Sequence, residues 1–352
     1  MASTPVTSSF RMVFAGTAPF AVPILRALAG AGERSPEGAA VAAVFTMPDR
    51  PAGRGRQPRS SAVKIAALEL GIPVHQPDRV SRGEGLALIR ALEPDLLVVV
   101  AFGEIITPEA LAVPRLGAVN VHPSLLPRYR GPAPIQRAIM AGEDATGVTV
   151  QWMTQQTDAG DVILQRAVEI GEGEDFGSLH DRLALIGAEM AVEAVRLIQL
   201  DAAPRTPQDP ALVTYAPPIS VAELTVVWSR SADEIARLVL ALSPRPGART
   251  TRGSELLKVL SARAVKNPSP EGGVPRASSE ASRGRRNGSG GSTQLAAGQI
   301  IALTSEGFLV ATGDSPDAGL LVLRVQPAGR KAMSATDYVK GYRLRPGDRF
   351  GA

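Results

Sequence analysis

The chain has 352 residues, of which 44% are hydrophobic, a net charge of +4 and no cysteine. That length suits two or three domains, and the missing cysteine excludes disulfides, thiolate metal ligands and a cysteine nucleophile. No apolar run reaches membrane-spanning length, and residues 1–10 lack the pattern of a signal peptide. We therefore expect a cytoplasmic protein that contacts no membrane.

The charge is unevenly distributed along the chain. Residues 1–210 carry 19 Lys and Arg against 23 Asp and Glu, whereas residues 211–352 carry 19 against 11, a net charge of +8. A basic part beside a slightly acidic one favours a polyanionic partner for the basic part. A solvated surface that only promotes solubility is the alternative explanation.

Strands and helices alternate through the first 200 residues. Apolar runs predict strands at residues 11–15, 40–45, 72–75, 95–101, 148–153 and 162–168. Helical spacing predicts helices at residues 19–28, 62–70, 84–92 and 135–141, and a long one that ends near residue 200. This alternation predicts a twisted, mainly parallel sheet with helices on both faces. The turn after the first strand lacks the second and third glycines of a dinucleotide fingerprint, which disfavours an NAD-linked enzyme.

A cationic segment follows the second strand. Residues 45–64 contain a single acid, Asp49, and five basic residues: Arg50, Arg54, Arg56, Arg59 and Lys64. Glycine and proline between them predict a flexible loop without helix or sheet. Such a loop could order on a nucleic-acid backbone, because arginine binds phosphate groups bidentately. A disordered surface loop is the alternative.

Asn120 and His122 lie two residues apart in the apolar run at residues 118–122, just before Pro123. In a strand, both side chains leave the same face. They would stand at the carboxyl end of the strand, where open α/β sheets bind their ligands. A turn-capping asparagine and a satisfied buried histidine are equally compatible with this pattern. Asp158 lies at a glycine turn, where an aspartate commonly bonds its own backbone.

The pattern of predicted secondary structure changes near residue 200. Residues 201–213 have the composition of a linker between a first domain at residues 11–200 and a second at residues 214–350. Short strands are predicted at residues 225–228, 256–262, 299–303, 307–311 and 320–326, with one helix at 232–241. Evenly spaced short strands favour a small barrel. A flexible tail at residues 1–10 and a disordered insert at residues 267–293 are also predicted.

Several motifs together resemble those of the folate-dependent formyltransferases. They are NVHPSLLPRYRGPAPIQ at residues 120–136, FAGT at 14–17, FTMPDRPAGRGR at 45–56, DAGD at 158–161, LVTYAPPIS at 212–220 and PAGRKAMSA at 327–335. FAGT and DAGD occur across several such enzymes. The basic segment, LVTYAP and PAGRKAMSA are more particular to members whose acceptor is an aminoacyl-tRNA. The resemblance covers nearly all of residues 11–350.

The resemblance implies a Rossmann-like catalytic domain and an OB-like, tRNA-binding barrel. It implies transfer of the formyl group of 10-formyltetrahydrofolate to the α-amine of initiator Met-tRNA, by a protein expected to be a monomer. The catalytic residues it implies are Asn120, His122 and Asp158. The folate-pocket residues are Ser124, Leu125, Leu126 and Pro127. The tRNA-binding residues are Arg50, Arg54, Arg56, Arg330 and Lys331.

In this reaction the Asn120 amide and the protonated His122 ring would both donate to the oxyanion of the tetrahedral intermediate. Asp158 would keep His122 charged and accept the amine proton, directly or through water. No metal is expected, since three scattered histidines show no metal-binding spacing. Two other functions remain open: formyl transfer to an amino-sugar nucleotide, and tRNA binding without catalysis.

Overall fold

The computed structural model describes residues 10–34, 39–52, 57–266, 295–313 and 318–351. The chain divides into two compact units. Unit 1 consists of Met1–Ile135, Asp144–Ile170 and Ser178–Pro218, and unit 2 of Gln136–Glu143, Gly171–Gly177 and Ile219–Ala352. The predicted insert, residues 1–9 of the predicted tail, Arg54 and Arg56 lie outside the described residues. The predicted linker and domain boundaries stay predictions.

The strands of the first 170 residues are β1 (Arg11–Gly16), β2 (Ala40–Phe45), β3 (Arg50–Ala52), β4 (Gln57–Arg59), β5 (Val74–His75), β6 (Leu96–Val100), β7 (Ala118–His122), β8 (Ala145–Trp152) and β9 (Val162–Glu169). The helices up to residue 199 are α1 (Ala21–Arg34), α2 (Ala62–Glu69), α3 (Gly83–Ala91), α4 (Pro108–Leu111), α5 (Pro134–Ala141) and α6 (Phe176–Gln199). None of the helices in the described part of the chain combines the length and hydropathy needed to cross a membrane.

Seven of these strands form one sheet in the order β5-β2-β1-β6-β7-β8-β9. The first five pair in parallel, whereas β8 and β9 are antiparallel. All five residues of β6 are buried, which is typical of a central parallel strand covered by helices on both faces. The predicted α/β class with a mainly parallel sheet is confirmed. The strand order reverses between β1 and β6, so the carboxyl ends near this point form a natural ligand crevice.

The cationic segment contains more structure than the sequence predicts. β3 pairs antiparallel with β4, with Arg50 opposite Arg59, so the prediction of no sheet is wrong at both ends of the segment. The carboxylate of Asp49 accepts hydrogen bonds from Lys64 Nζ at 2.7 Å and from Gln76 Nε2 at 2.9 Å. These bonds, that of Lys64 above all, lower the pKa of Asp49. Asp49, which directly precedes β3, is thus bonded to Lys64 of α2 and to Gln76 after β5.

Unit 2 contains a separate antiparallel sheet. Its strands are β10 (Ala248–Arg252), β11 (Glu255–Lys266), β12 (Ile300–Leu303), β13 (Phe308–Ala311), β14 (Ala318–Pro327) and β15 (Met333–Ser334). Two helices, α7 (Ala232–Leu242) and α8 (Ala335–Tyr342), accompany them. The strand order is β10-β11-β14-β13-β12, with β15 paired to β14. Residues 225–228, predicted as a strand, form only a bridge from Thr225 to Arg249, and the predicted single helix is wrong, since α8 is present as well. The strands β10 and β15 were not predicted.

The end of the chain joins the two edges of this sheet. Gly351 forms a bridge with Thr251 of β10, and Arg349 forms one with Gln299, next to β12. Between them, the ring of Phe350 is buried and stacks on Trp228 and Phe308, with centroid distances of 5.9 and 5.5 Å. Both edge strands thus find backbone partners, as the small barrel predicted from the sequence requires.

Glu223 of unit 2 makes a charged contact that gives unit 2 a pH-dependent stability. Its carboxylate binds the guanidinium of Arg137, and mainly this bond lowers the pKa of Glu223 to about 2. The stabilisation is present above the ordinary value of 4.5 and is lost as the pH falls towards 2. Since the Glu223 side chain is 37% exposed, Glu223→Gln is expected to cost only about 1 kcal/mol at pH 7.

In thermal unfolding scans, the difference in Tm between wild type and this variant should become smaller as the pH is lowered from 5. Glu306→Gln is the matched control, because the pair of Glu306 with Arg263 is exposed on both sides and contributes little. Equal destabilisation by the two variants, or a Glu223→Gln effect that grows as the pH falls, would contradict the prediction.

Candidate active site

The register between β7 and β8 brings four polar side chains together at the end of the sheet. Asn120 lies directly opposite Gln151, and His122 lies opposite Thr149. Thr149, Gln151 and His122 are at most 5% exposed, although their neighbours along both strands are apolar. Buried polar groups need hydrogen-bonding partners, so this cluster requires a network of them.

The Asp158 carboxylate is the centre of that network. Its Oδ1 accepts hydrogen bonds from Asn120 Nδ2 at 3.1 Å and Gln151 Nε2 at 3.2 Å. Its Oδ2 accepts one from the backbone N–H of Gly131 at 2.8 Å, and His122 Nδ1 lies 3.6 Å from Oδ1. The structure thus brings together Asn120, His122 and Asp158, the three catalytic residues expected from the sequence. Three hydrogen-bond donors and one ring nitrogen thus surround the carboxylate.

The turn that carries Asp158 has an unusual backbone. Asp158 has φ +53°, in the left-handed region that L residues rarely adopt. Two residues later, a Cβ on Gly160 would lie 1.7 Å from the carbonyl oxygen of Trp152, so only glycine fits at this position. Close packing against β8 therefore turns the Asp158 side chain back towards the cluster.

The His122 ring is held on both sides. Its Nε2 lies 3.0 Å from the carbonyl oxygen of Tyr129, and because a carbonyl only accepts, Nε2 carries the hydrogen. Tyr129 itself has φ +60°, and its N–H donates to Thr214 Oγ1 at 2.8 Å. A doubly protonated ring would donate to Tyr129 and also face the Asp158 carboxylate with its Nδ1–H.

The loop at residues 124–127 packs inward. The hydroxyl of Ser124 donates to the carbonyl of Arg128 at 2.7 Å, and the N–H of Leu126 donates to Thr149 Oγ1 at 3.2 Å. Gln165 Nε2 donates to the carbonyl of Leu126 at 2.9 Å. Three of the four side chains are buried, and Leu125 is half-buried. These bonds define the shape of the loop that follows His122.

A cavity of about 110 Å³ opens beside Asn120 and Asp158. Residues 104–106 and 151–160 form the rest of its wall, with Ile106, Trp152 and Met153 as apolar side chains. The residues at 124–127 are not part of that wall. Polar and apolar side chains share this wall. A concave site with convergent polar groups is a usual form of a small-molecule site. The described residues contain no group of three His, Asp or Glu that could hold a metal ion.

Known proteins resemble this chain over both units. A family model described as "Formyl transferase" matches residues 10–195, and one described as "Formyl transferase, C-terminal domain" matches residues 218–343. A protein of Moorella thermoacetica named methionyl-tRNA formyltransferase is 44% identical over 341 residues, which cover 97% of this chain and 99% of that protein. This chain belongs to the methionyl-tRNA formyltransferase family. The family membership expected from the motifs is thereby confirmed.

Other members of the methionyl-tRNA formyltransferase family and several solved structures extend the comparison. The relative from Symbiobacterium thermophilum is 44% identical over 97% of this chain and 95% of its own. The crystal structure of HypX from Aquifex aeolicus with tetrahydrofolic acid matches with a TM-score of 0.59 at 18% identity, over 95% of this chain and 48% of HypX. WlaRD, a sugar 3N-formyl transferase, matches with a TM-score of 0.58 at 14% identity, over 92% and 99%. At these identities the two structures show the shared fold.

Three of the basic residues expected to bind tRNA are described. Arg50 is exposed in the β3–β4 hairpin, and Arg330 and Lys331 are exposed in the turn between β14 and β15. That turn is closed by Gln326, whose Nε2 donates to the carbonyl of Arg330 at 2.9 Å. In this family member the basic side chains of the turn are thus presented to solvent on an ordered backbone.

Sequence reasoning missed several members of the cluster. Thr149 and Gln151 alternate with valines in β8, a pattern that indicates two polar side chains on one face of a buried strand. This alternation could have identified Thr149 and Gln151 from the sequence. The carbonyl of Tyr129, the N–H of Gly131 and the side chain of Gln208 had no local signal, because their roles depend on loops that meet only in the folded chain.

Proposed function

We propose that this chain transfers the formyl group of 10-formyltetrahydrofolate to the α-amine of methionine on initiator Met-tRNA. The convergence of Asn120, His122 and Asp158 beside the cavity is the observation that carries the chemistry. The acceptor is the one in the name of relatives that are 44% identical over nearly the whole chain. Initiator tRNA is formylated before translation begins, so the proposed location is the cytoplasm.

The proposed reaction is a direct acyl transfer. The lone pair of the amine attacks the formyl carbon and forms a tetrahedral intermediate, whose oxygen becomes an oxyanion. That oxygen would receive hydrogen bonds from the protonated His122 ring and from Asn120 Nδ2, which has a second hydrogen besides the one directed at Asp158. The carbon–N10 bond then breaks, one amine proton is removed, and N10 is protonated. The products are formylmethionyl-tRNA and tetrahydrofolate.

Asp158 has two roles in this proposal. Its negative charge, 3.6 Å from His122 Nδ1, stabilises the charged ring throughout the reaction. In this proposal it would also take the amine proton, directly or through water. Because no step forms a covalent bond to the protein, the absence of cysteine from the sequence presents no obstacle.

The cavity beside Asn120 is the proposed site for the reacting end of the folate. Its wall combines the apolar side chains of Ile106 and Met153 with the polar groups of Gln151 and Asp158. The residues at 124–127 would contact the folate through Leu125 and the backbone, since the other three side chains of that loop are buried. The volume of about 110 Å³ is less than a whole folate occupies, so most of the cofactor would extend into solvent or widen the cavity.

The proposal is tested by measuring formyl transfer from 10-formyltetrahydrofolate to charged initiator Met-tRNA, with an amino-sugar nucleotide as the competing acceptor. Rapid transfer to the tRNA alone is expected. Transfer to the sugar alone would replace the proposed acceptor. Binding of tRNA without any folate-dependent transfer would identify a non-catalytic binding protein.

The double variant Arg330→Ala, Lys331→Ala is expected to raise KM for Met-tRNA by about 3- to 10-fold, because each lost phosphate contact removes a counterion-release contribution. KM for the folate should stay within about twofold of wild type, and the salt dependence of tRNA binding should become shallower. The double variant Arg90→Ala, Arg263→Ala, which removes two exposed arginines paired with Glu109 and Glu306, is the charge-matched control. An equal effect of the control would show that only net charge matters.

A further inference from the structure

The segment at residues 204–216, which we call the strap, follows α6 and lies against the active-site loops within unit 1. Near its start, Trp152 Nε1 donates to the carbonyl of Pro204 at 3.1 Å, and Thr206 and Val162 exchange two backbone hydrogen bonds of 2.8 and 3.1 Å. Near its end, the backbone of Arg130 bonds to Thr214 at 2.9 Å and to Ala216 at 2.7 Å. The strap therefore connects the loop after His122 with the turn that carries Asp158.

Gln208 lies in the middle of the strap, and both the nitrogen and the oxygen of its side-chain amide form hydrogen bonds. Its Nε2 lies 2.7 Å from the carbonyl oxygen of Gly160, 3.0 Å from that of Asp158 and 3.2 Å from Gln151 Oε1. Its Oε1 accepts two hydrogen bonds from the guanidinium of Arg130, at 3.1 Å from Nε and 2.7 Å from Nη2. The half-buried side chain of Gln208 thus contacts both the loop that follows His122, at Arg130, and the turn that carries Asp158.

The surroundings of Gln208 determine how its amide is oriented. A guanidinium only donates and backbone carbonyls only accept, so the amide oxygen faces Arg130 and the nitrogen faces the turn. Gln151 is then oriented as well: its Oε1 receives the Gln208 hydrogen bond, and its Nε2 donates to Asp158 Oδ1. A carboxylate at position 208 would place a second acceptor against the carbonyls of Asp158 and Gly160.

We propose that Gln208 is a positioning residue for formyl transfer, which holds the Asp158 turn and the Gln151 amide in the geometry that directs the Asp158 carboxylate at Asn120 and His122. The inference rests on the proposed function. The left-handed backbone of Asp158 is an uncommon conformation that persists only where neighbouring bonds hold it. Gln208 supplies such a bond directly to the Asp158 carbonyl and reaches the carboxylate through Gln151.

This role differs from general stabilisation of the fold. Gln208 is not itself a lining residue of the cavity and forms no hydrogen bond with the loop at residues 124–127, although it bonds to the lining residues Gln151, Asp158 and Gly160. Since it contacts no substrate directly, binding of the two substrates should change much less than the rate on its loss. The orientation of Asp158 should not survive, because the turn loses the donor that holds both the Asp158 and the Gly160 carbonyls. A small displacement of a reacting group lowers the rate of the chemical step much more than it lowers ground-state binding.

The test compares steady-state formyl transfer by wild type, Gln208→Ala, Gln208→Glu and the control Asp209→Ala. Asp209 is the next residue of the strap, and its side chain accepts one hydrogen bond, from the N–H of Ala211 at 2.9 Å, without reaching either loop. We expect kcat of both Gln208 variants to fall by about 10- to 100-fold, with both KM values within about threefold of wild type. Asp209→Ala should keep the wild-type kcat.

A double-mutant cycle with Gln151→Ala tests the route to Asp158. If Gln208 acts partly through Gln151, the kcat loss of the double variant is smaller than the product of the two single losses. Gln208→Glu keeps the size of the side chain and its contact with Arg130, so it remains informative should Gln208→Ala fold poorly. Circular dichroism and equilibrium binding of tetrahydrofolate establish that each variant is folded.

Different results would overturn the positioning role of Gln208 and the proposed function. Formyl transfer by wild type with an unchanged kcat in both Gln208 variants would overturn the positioning role and leave the proposed function standing. A loss confined to KM, or a strictly multiplicative double-mutant cycle together with an equal loss in Asp209→Ala, would also overturn it. Absence of transfer by the wild type would overturn the proposed function and this inference with it.

Discussion

Asp158→Asn is expected to lower the rate constant of the formyl-transfer step about 1000-fold, a loss of roughly 4 kcal/mol of transition-state stabilisation. The substitution removes the negative charge that faces His122 Nδ1 at 3.6 Å, so the ring loses its charged partner. It also places an NH₂ group among donors. In the wild type, Oδ1 accepts hydrogen bonds from Asn120 and Gln151, and Oδ2 accepts one from the N–H of Gly131. In either orientation of the asparagine amide, its NH₂ group would therefore face one of these donors.

Single-turnover formyl transfer with saturating folate and Met-tRNA measures this effect on the chemical step. The matched control is Asp201→Asn, because Asp201 is also a left-handed aspartate, with φ +52°, but is exposed at the end of α6. Asparagine tolerates that backbone well, so the control should transfer formyl at the wild-type rate. A decrease of less than tenfold in Asp158→Asn would rule out a central role for the carboxylate.

Gly160→Ala is expected to lower kcat about 100-fold and to destabilise the protein by about 2 kcal/mol. The added methyl group would lie 1.7 Å from the carbonyl oxygen of Trp152, a backbone atom that is itself held in the network of β8. The N–H of Trp152 donates to the carbonyl of Asp161 at 2.9 Å, so the two segments cannot separate without losing that bond. The turn would shift and carry Asp158 away from His122.

Thermal unfolding and steady-state kinetics of the same preparation give both quantities. Gly341→Ala is the matched control, since Gly341 is exposed in α8 and its added Cβ would have no neighbour within 4 Å. There the substitution should raise the unfolding free energy by up to about 1 kcal/mol, because alanine favours a helix over glycine. Wild-type activity of Gly160→Ala would show that the turn has more room than the structure gives it.

Periodicity and turn residues predicted most of unit 1 correctly. The apolar run before residue 100 is the buried central strand β6, and Asn120 and His122 leave one face of β7 because side chains alternate along a strand. These are local properties, which neighbouring residues determine. The antiparallel addition of β8 and β9 was not predicted, since the direction of a strand depends on the path of the chain and not on its composition.

In the cationic segment, too, local composition did not predict the strand pairing. Its glycines and prolines indicate a loop, yet β3 and β4 pair at its two ends because Asp49 bonds to Lys64 and Gln76, which come from later elements. In unit 2, the strand predicted at residues 225–228 is only a bridge. There the tail at residues 349–351 bonds to the sheet edges instead.

The sequence by itself determined the alternation of strands and helices in the first 200 residues, the formyltransferase motifs, and the presence of Asn120, His122 and Asp158 on a strand and a turn. Only the tertiary structure decided what surrounds them. The register of β8 places Gln151 opposite Asn120, a left-handed turn presents the carbonyl of Tyr129 to His122, and the strap delivers Gln208 to the Asp158 turn. Those partners are separated from their targets by 7 to 50 residues. Loop closure and packing, which have no local signature, bring them together.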